Sequence, residues 1–127
     1  MKKQDLPLSP HLQIYKPQIT SLLSISHRIS GVALNFVLVI LVLGLLCITL
    51  GESYFELLIS LITSFPIKII IFLAILGFSY HFLNGIRHII WDFGFLLGNR
   101  SSAIFGYFII ATSIISSIFI SRLLGLF

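Results

Sequence analysis

Charge is what this sequence has least of. Only 9% of its 127 residues are Asp, Glu, Lys or Arg, against roughly a quarter in an ordinary soluble domain, and mean hydropathy is +1.11. That scarcity excludes a water-soluble globular domain and places the chain in a bilayer. Cysteine is almost missing too: Cys47 stands alone inside an apolar run. Neither a disulfide framework nor a cysteine-built metal site is available, and Cys47 reads as a small buried hydrophobe. Acidic residues number 4 against 8 basic ones, giving a formal net charge of +4. The basic residues are scattered near the ends of apolar segments and form no patch, which excludes nucleic acid as a partner and makes the charge topological information. Lys2 and Lys3 are followed by Asp5, Pro7, Pro10 and His11 before any apolar run. This is not the layout of a cleavable signal or an Arg-rich transit peptide, so the chain is expected to insert as synthesised.

What is present is apolar sequence in membrane-length runs, and the expected fold is an all-α membrane protein with three transmembrane helices. Residues 1–17, punctuated by Pro7, Pro10 and Pro17, predict an irregular surface arm with Tyr15 and Lys16 at headgroup level. A first helix over about 18–50, capped by Thr20 or Ser21, carries an uncharged span from Ile29 to Leu50 that matches about 30 Å of hydrocarbon. Gly51 stops it, and a short connection holding Glu52 and Glu56 follows. Pro66 opens a second helix over about 66–91. A turn with Gly94 and Gly98 leads to a third over about 103–122, where Thr112, Ser113, Ser116 and Ser117 offer small residues for close helix packing. Lys2, Lys3, Lys16, Arg28, Arg87 and Arg100 then lie on one side, against Lys68 and Arg122 on the other, which puts the N-terminus inside and the C-terminus outside. A two-span hairpin would leave the third apolar run unused.

The polar residues inside these spans carry the functional signal. His81, Gly85, His88 and Asp92 fall on one face of the second helix. An ionisable group at that depth is costly unless it faces protein, water or a cofactor, and Gly85 leaves room beside His81 for something broad and flat, such as a haem macrocycle. On the first helix Ser24, Arg28, Gly31 and Asn35 share a face, with His27 to its side, at a similar depth. For His81 a hydrogen bond to a neighbouring helix competes with metal or haem ligation. For Arg28, snorkelling to lipid phosphates competes with a binding role. A six-coordinate haem needs a second axial ligand, and no other mid-span histidine is present, so ligation by His81 requires a partner chain. His88 then meets a propionate, lipid or solvent. Asp92 reads as an interfacial structural group and His11 as solvated. A haem- and quinone-binding redox anchor, a plain structural adaptor and a proton-relay transporter using His81 all remain open at this point.

Three motifs go further. Pro7-Leu-Ser-Pro-His-Leu-Gln-Ile-Tyr15, Ser24-Ile-Ser-His-Arg-Ile-Ser-Gly31 and His81-Phe-Leu-Asn-Gly-Ile-Arg-His-Ile-Ile-Trp-Asp92 resemble those of the cytochrome b large anchor subunit of succinate dehydrogenase, respiratory complex II, in its mitochondrial and alphaproteobacterial branch. The likeness covers essentially the whole chain as a single anchor domain, 1–127. One departure is Leu6, where this branch usually carries arginine before the proline.

The resemblance implies an anchor that, with a smaller anchor subunit, holds the iron–sulfur and flavoprotein subunits on the bacterial or mitochondrial inner membrane. It implies haem b, with His81 as one axial iron ligand and the small subunit supplying the other. His27, Arg28 and His88 would attend the propionates. Ser24 and Arg28 would bind ubiquinone, which receives electrons from succinate in the tricarboxylic acid cycle and respiratory chain. The dicarboxylate chemistry would lie on other subunits, leaving this chain with no catalytic residue of its own.

Overall fold

The computed structural model describes residues 16–127; of the surface arm and first motif, everything before Lys16, including Leu6 and His11, lies outside the described residues. Four helices follow: α1 (Ile19–Thr49), α2 (Glu52–Thr63), α3 (Phe65–Asp92) and α4 (Asn99–Leu123), with no strand among the described residues. α1, α3 and α4 are long and apolar enough to cross a membrane. Many of their residues are β-branched and would be neutral or poor helix formers in water. In hydrocarbon every unpaired peptide group costs several kcal/mol, so closing the backbone's own bonds decides the conformation.

The ends differ from the sequence expectation in two places. α1 starts at Ile19 after Gln18, which makes no side-chain cap; Thr20 and Ser21 therefore lie within the first turn. The connection after Gly51 is itself a helix, α2. Its Glu52, Glu56, Ser60 and Thr63 recur every three or four residues, a helical period that a reading of it as a loop overlooks. Gly51, at φ 116°, makes the corner between α1 and α2 in a region open to glycine. Just past the end of α3, Gly94 has φ 82°, and there Gly94 N–H donates to the Trp91 carbonyl and Phe95 N–H to that of Ile90. This paired closure satisfies carbonyls that the helix end would leave open.

The interior inverts the usual arrangement. Buried hydrophobic residues among those described are Leu23, Ile109 and Leu126, whereas Ser79, Asn84, Arg87, Ser102, Ser113, Ser117 and Ser121 are all buried. Large Leu, Ile and Phe side chains cover the outside. Lipid tails are as apolar as leucine, so burying leucine gains little there, and helices associate through small residues and hydrogen bonds. α4 shows this on its inward face, at Ser102, Gly106, Ile109, Ser113, Ser117 and Ser121. The Ser113 and Ser117 hydroxyls donate to carbonyls one turn back, of Ile109 and Ser113. Thr112 and Ser116 are only half-buried. A Cβ at Gly106 would overlap the Leu23 side chain, so α1 seats against α4 through that glycine.

Candidate functional site

α1 and α3 meet where the sequence places its imidazoles. His27 Nε2 donates to the His81 carbonyl at 3.2 Å, and His81 Nδ1 lies 3.1 Å from the His27 carbonyl. The two rings stack with centroids 4.1 Å apart and 19° between planes. His88 stacks on the other neighbour, 5.1 Å from His27, and meets Trp91 edge-on. The contact is possible because Gly31 has no side chain: a Cβ there would come within 2.8 Å of His81 Cε1.

The hydrogen bonds determine which His81 nitrogen carries the proton. Ser30 Oγ donates its single hydrogen to the His27 carbonyl at 2.8 Å, and the same oxygen lies 3.1 Å from His81 Nδ1. A carbonyl can only accept, and the serine hydrogen is already committed, so His81 Nδ1 is the N–H donor. In the neutral imidazole the lone pair is then on Nε2, which makes no hydrogen bond among the described residues. Histidine metal ligands are prepared in this way, one nitrogen fixed on a carbonyl and the other left basic. His27 cannot join His81 and His88 as a three-histidine metal site. Its Nε2 is spent on a carbonyl, the rings lie face to face, and no cluster of three or more His, Cys, Asp or Glu ligands occurs among the described residues.

Ser24 and Arg28 are placed differently. Both lie on the same side of α1 but not against His81: Ser24 is half-buried, Arg28 is exposed, and neither has a hydrogen-bond partner among the described residues. Asp92 is exposed at the end of α3. Two crevices, each of about 600 Å³, open between the helices. One is lined by Ser26, Tyr80 and Ser113 among aliphatic residues and the other is wholly apolar. Neither contains Ser24, Arg28 or His81. The room expected beside Gly85 is taken by the His27 ring, whose Nε2 lies 4.0 Å from the missing Cβ, an ordinary packing contact.

Sequence reasoning missed a second polar centre. Arg87, read above as a topology charge, is 0% exposed, as is Asn84. Its guanidinium donates to the Ser102 carbonyl and hydroxyl at 3.0 and 2.9 Å, reaches Asn84 Oδ1 at 3.4 Å, and lies 4.1 Å over the Trp91 ring. It ties α3 to the first turn of α4. The spacing of Asn84, Arg87 and Trp91 at i, i+3 and i+7 was the available signal, since it puts all three on one face.

Comparison with known proteins agrees with this architecture. Residues 2–120 match the family model described as succinate dehydrogenase/fumarate reductase transmembrane subunit. The chain is 44% identical over 109 residues to the succinate dehydrogenase cytochrome b556 subunit of Rickettsia typhi, covering 86% of this chain and 85% of that one. It is 40% identical over 119 residues to the succinate dehydrogenase cytochrome b560 subunit of Chondrus crispus, covering 87% and 90%. To the b560 subunit of Marchantia polymorpha it is 44% identical over 101 residues, covering 75% and 73%. With its spanning helices and this extent of likeness, the chain belongs to the succinate dehydrogenase/fumarate reductase transmembrane subunit family, the membrane anchor of complex II.

Proposed function

We propose that the chain is the large anchor of a succinate:quinone oxidoreductase, that His81 ligates haem b through Nε2, and that Ser24 and Arg28 form its share of a ubiquinone pocket. The observation that carries the reading is the state of His81, fixed on the His27 carbonyl through Nδ1 with a free lone pair on Nε2. When bound, the haem supplies one-electron chemistry and a second ligand position, which the small anchor subunit fills. Arg28 and His88 offer donors for its propionates. His27 does so only through Nδ1, since its Nε2 holds α1 to α3.

Ser24 and Arg28 are one turn apart and point to a surface that this chain leaves open, so partner subunits complete the pocket. The serine hydroxyl can donate to a quinone carbonyl, and the guanidinium stabilises negative charge that develops on that oxygen during reduction. The N-terminus lies inside, where the iron–sulfur subunit delivers electrons. The flavoprotein subunit carries the dicarboxylate chemistry, and this chain has no catalytic residue of its own.

Purification in mild detergent through a tag on this chain tests the assignment. The expected result is co-purification of a flavoprotein, an iron–sulfur protein and a small membrane subunit, with a b-type reduced-minus-oxidised spectrum. His81→Ala should abolish or alter that spectrum in assembled complex. Arg28→Leu and, less severely, Ser24→Ala should slow ubiquinone reduction, by roughly tenfold or more where a charge-developing hydrogen bond of about 1.5–3 kcal/mol is lost. Electron transfer to an artificial acceptor upstream of the quinone should be spared. An unaltered haem spectrum in assembled His81→Ala complex removes the ligand role, and parental quinone kinetics in both other variants removes the pocket.

A further inference from the structure

α2 lies outside everything assigned above. Its 12 residues span about 18 Å, too short to cross a bilayer. At 100° per residue, Glu52, Ser53, Glu56, Ser60 and Thr63 fall within an arc of about 100°, and the remaining arc of about 200° is wholly apolar. Leu58 is at the centre of the apolar arc, and its Cδ1 lies 3.9 Å from where a Cβ on Gly44 would be. That contact fixes the rotation of the helix: the apolar arc turns toward the membrane-spanning body of α1 and the polar arc turns directly away. Flanking Leu58, Leu57 and Leu61 remain 56% and 49% exposed.

We propose that α2 is an in-plane amphipathic helix seated in the phospholipid surface, with Leu57, Leu61, Tyr54, Phe55 and Ile62 among the upper acyl chains and the two glutamates in the headgroup layer. Continuity of the chain argues for lipid as the occupant. Leu50 and Gly51 separate α2 from α1, Ser64 alone separates it from α3, and both neighbours are membrane spans with apolar outer surfaces. A helix held at both ends by spans cannot leave the interface, and burying its wide apolar face in lipid stabilises it there. α2 contains no Lys or Arg, so the seat depends on apolar burial and not on attraction to anionic lipid. Its effect is to resist vertical displacement of the α1–α3 pair. This holds whether or not the haem and quinone assignments stand.

Spin-label accessibility in the intact complex, reconstituted in phosphatidylcholine vesicles, tests the seat. In a Cys47→Ala background, nitroxides are placed singly through Leu57→Cys, Leu61→Cys, Glu56→Cys and Ser60→Cys; Phe55→Cys and Glu52→Cys form a further pair should any of these fail to assemble. The expected result is a change of sign around the helix. Dissolved oxygen should relax positions 57, 61 and 55 more than a water-soluble nickel chelate does, and the order should reverse at 56, 60 and 52. Nickel-accessible labels at 57 and 61 would overturn the proposal by placing that face in water. Labels there shielded from both reagents would overturn it too, by placing the face under a protein partner.

Discussion

Replacing Gly31 with alanine separates the position of His81 from the stability of the helix pair. A Cβ at residue 31 would stand 2.8 Å from His81 Cε1, 3.5 Å from Nδ1 and 3.7 Å from Nε2. A relaxed contact between carbons needs about 3.5–4.0 Å, so ring and helix must part by roughly 0.7 Å. The ring is not free to yield, because Nδ1 sits 3.1 Å from both the His27 carbonyl and Ser30 Oγ while His27 stacks on its face. Moving it that far stretches these contacts out of hydrogen-bonding range, at about 0.5–1.5 kcal/mol for each bond lost. Alanine, in return, favours the helix over glycine by at most about 1 kcal/mol. Two lost bonds cost about 1–3 kcal/mol against at most about 1 kcal/mol returned, a net loss of about 0–2 kcal/mol, and nothing offsets the displacement of the imidazole. Purified Gly31→Ala complex should therefore unfold at or modestly below the parental temperature while its reduced-minus-oxidised haem spectrum shifts or weakens. Gly77→Ala is the control: no atom lies within 4 Å of its Cβ position on α3, so spectrum and stability should match or exceed the parent. If the Gly31→Ala and Gly77→Ala spectra are the same at equal haem content, the close-approach reasoning is refuted.

Gly85→Ala should be tolerated by this chain, whose nearest atom is 4.0 Å away; a spectral change in that variant would place the macrocycle against Gly85, and thermal unfolding in detergent would check the fold. Arg87→Met should lower stability by about 2–4 kcal/mol, since it removes two bonds to Ser102 and leaves that hydroxyl buried. Arg87→Lys should recover only part of this in the same assay, since one ammonium does not reproduce Nη2 on both Ser102 acceptors together with Nη1 toward Asn84 Oδ1 and the flat contact over Trp91. Ser30→Ala removes one of the two acceptors around His81 Nδ1 and should cost no more than about 1 kcal/mol, with the spectrum close to parental because the His27 carbonyl remains.

Much of this was legible in the sequence wherever the bilayer leaves the backbone no choice. The α1, α3 and α4 spans follow from long uncharged runs because unpaired peptide groups in hydrocarbon force a helix. His81 stood out for a related reason, as the one imidazole placed at mid-span depth. The unread features depend on how one helix is rotated against another. Sequence puts Ser24, Arg28, Gly31 and Asn35 on one face, but it does not say which edge of that face meets α3. The structure chooses the edge carrying His27, Ser30 and Gly31 and leaves Ser24 and Arg28 outside the joint. Arg87 was missed for the same reason: the face it shares with Asn84 and Trp91 is in the sequence, but the helix that covers that face is not. A basic residue near a span end looks like a headgroup contact until α4 is seen to cover it.

In this multi-pass inner-membrane subunit the joint between α1 and α3 docks the helices, and under the proposed function it also prepares a ligand. α1 has a single buried residue, Leu23. It is held to α3 by the Tyr80 hydroxyl on the Leu23 carbonyl at 2.7 Å and by the reciprocal bonds between His27 and His81. These contacts fall in its first four turns, and the rest of its length offers apolar surface outward. The bond that, in the proposed role of His81, prepares Nε2 as a ligand is also one of the few directional bonds docking α1. Removing the imidazole takes away both, whereas His81→Gln leaves an amide able to donate to the His27 carbonyl but far less able to bind iron. If docking and ligation are separable, His81→Gln should assemble more completely than His81→Ala, as judged by the yield of co-purified subunits, and still lack the parental haem spectrum. Equal assembly of the two variants would show that the His27 carbonyl bond contributes nothing to holding the helices together.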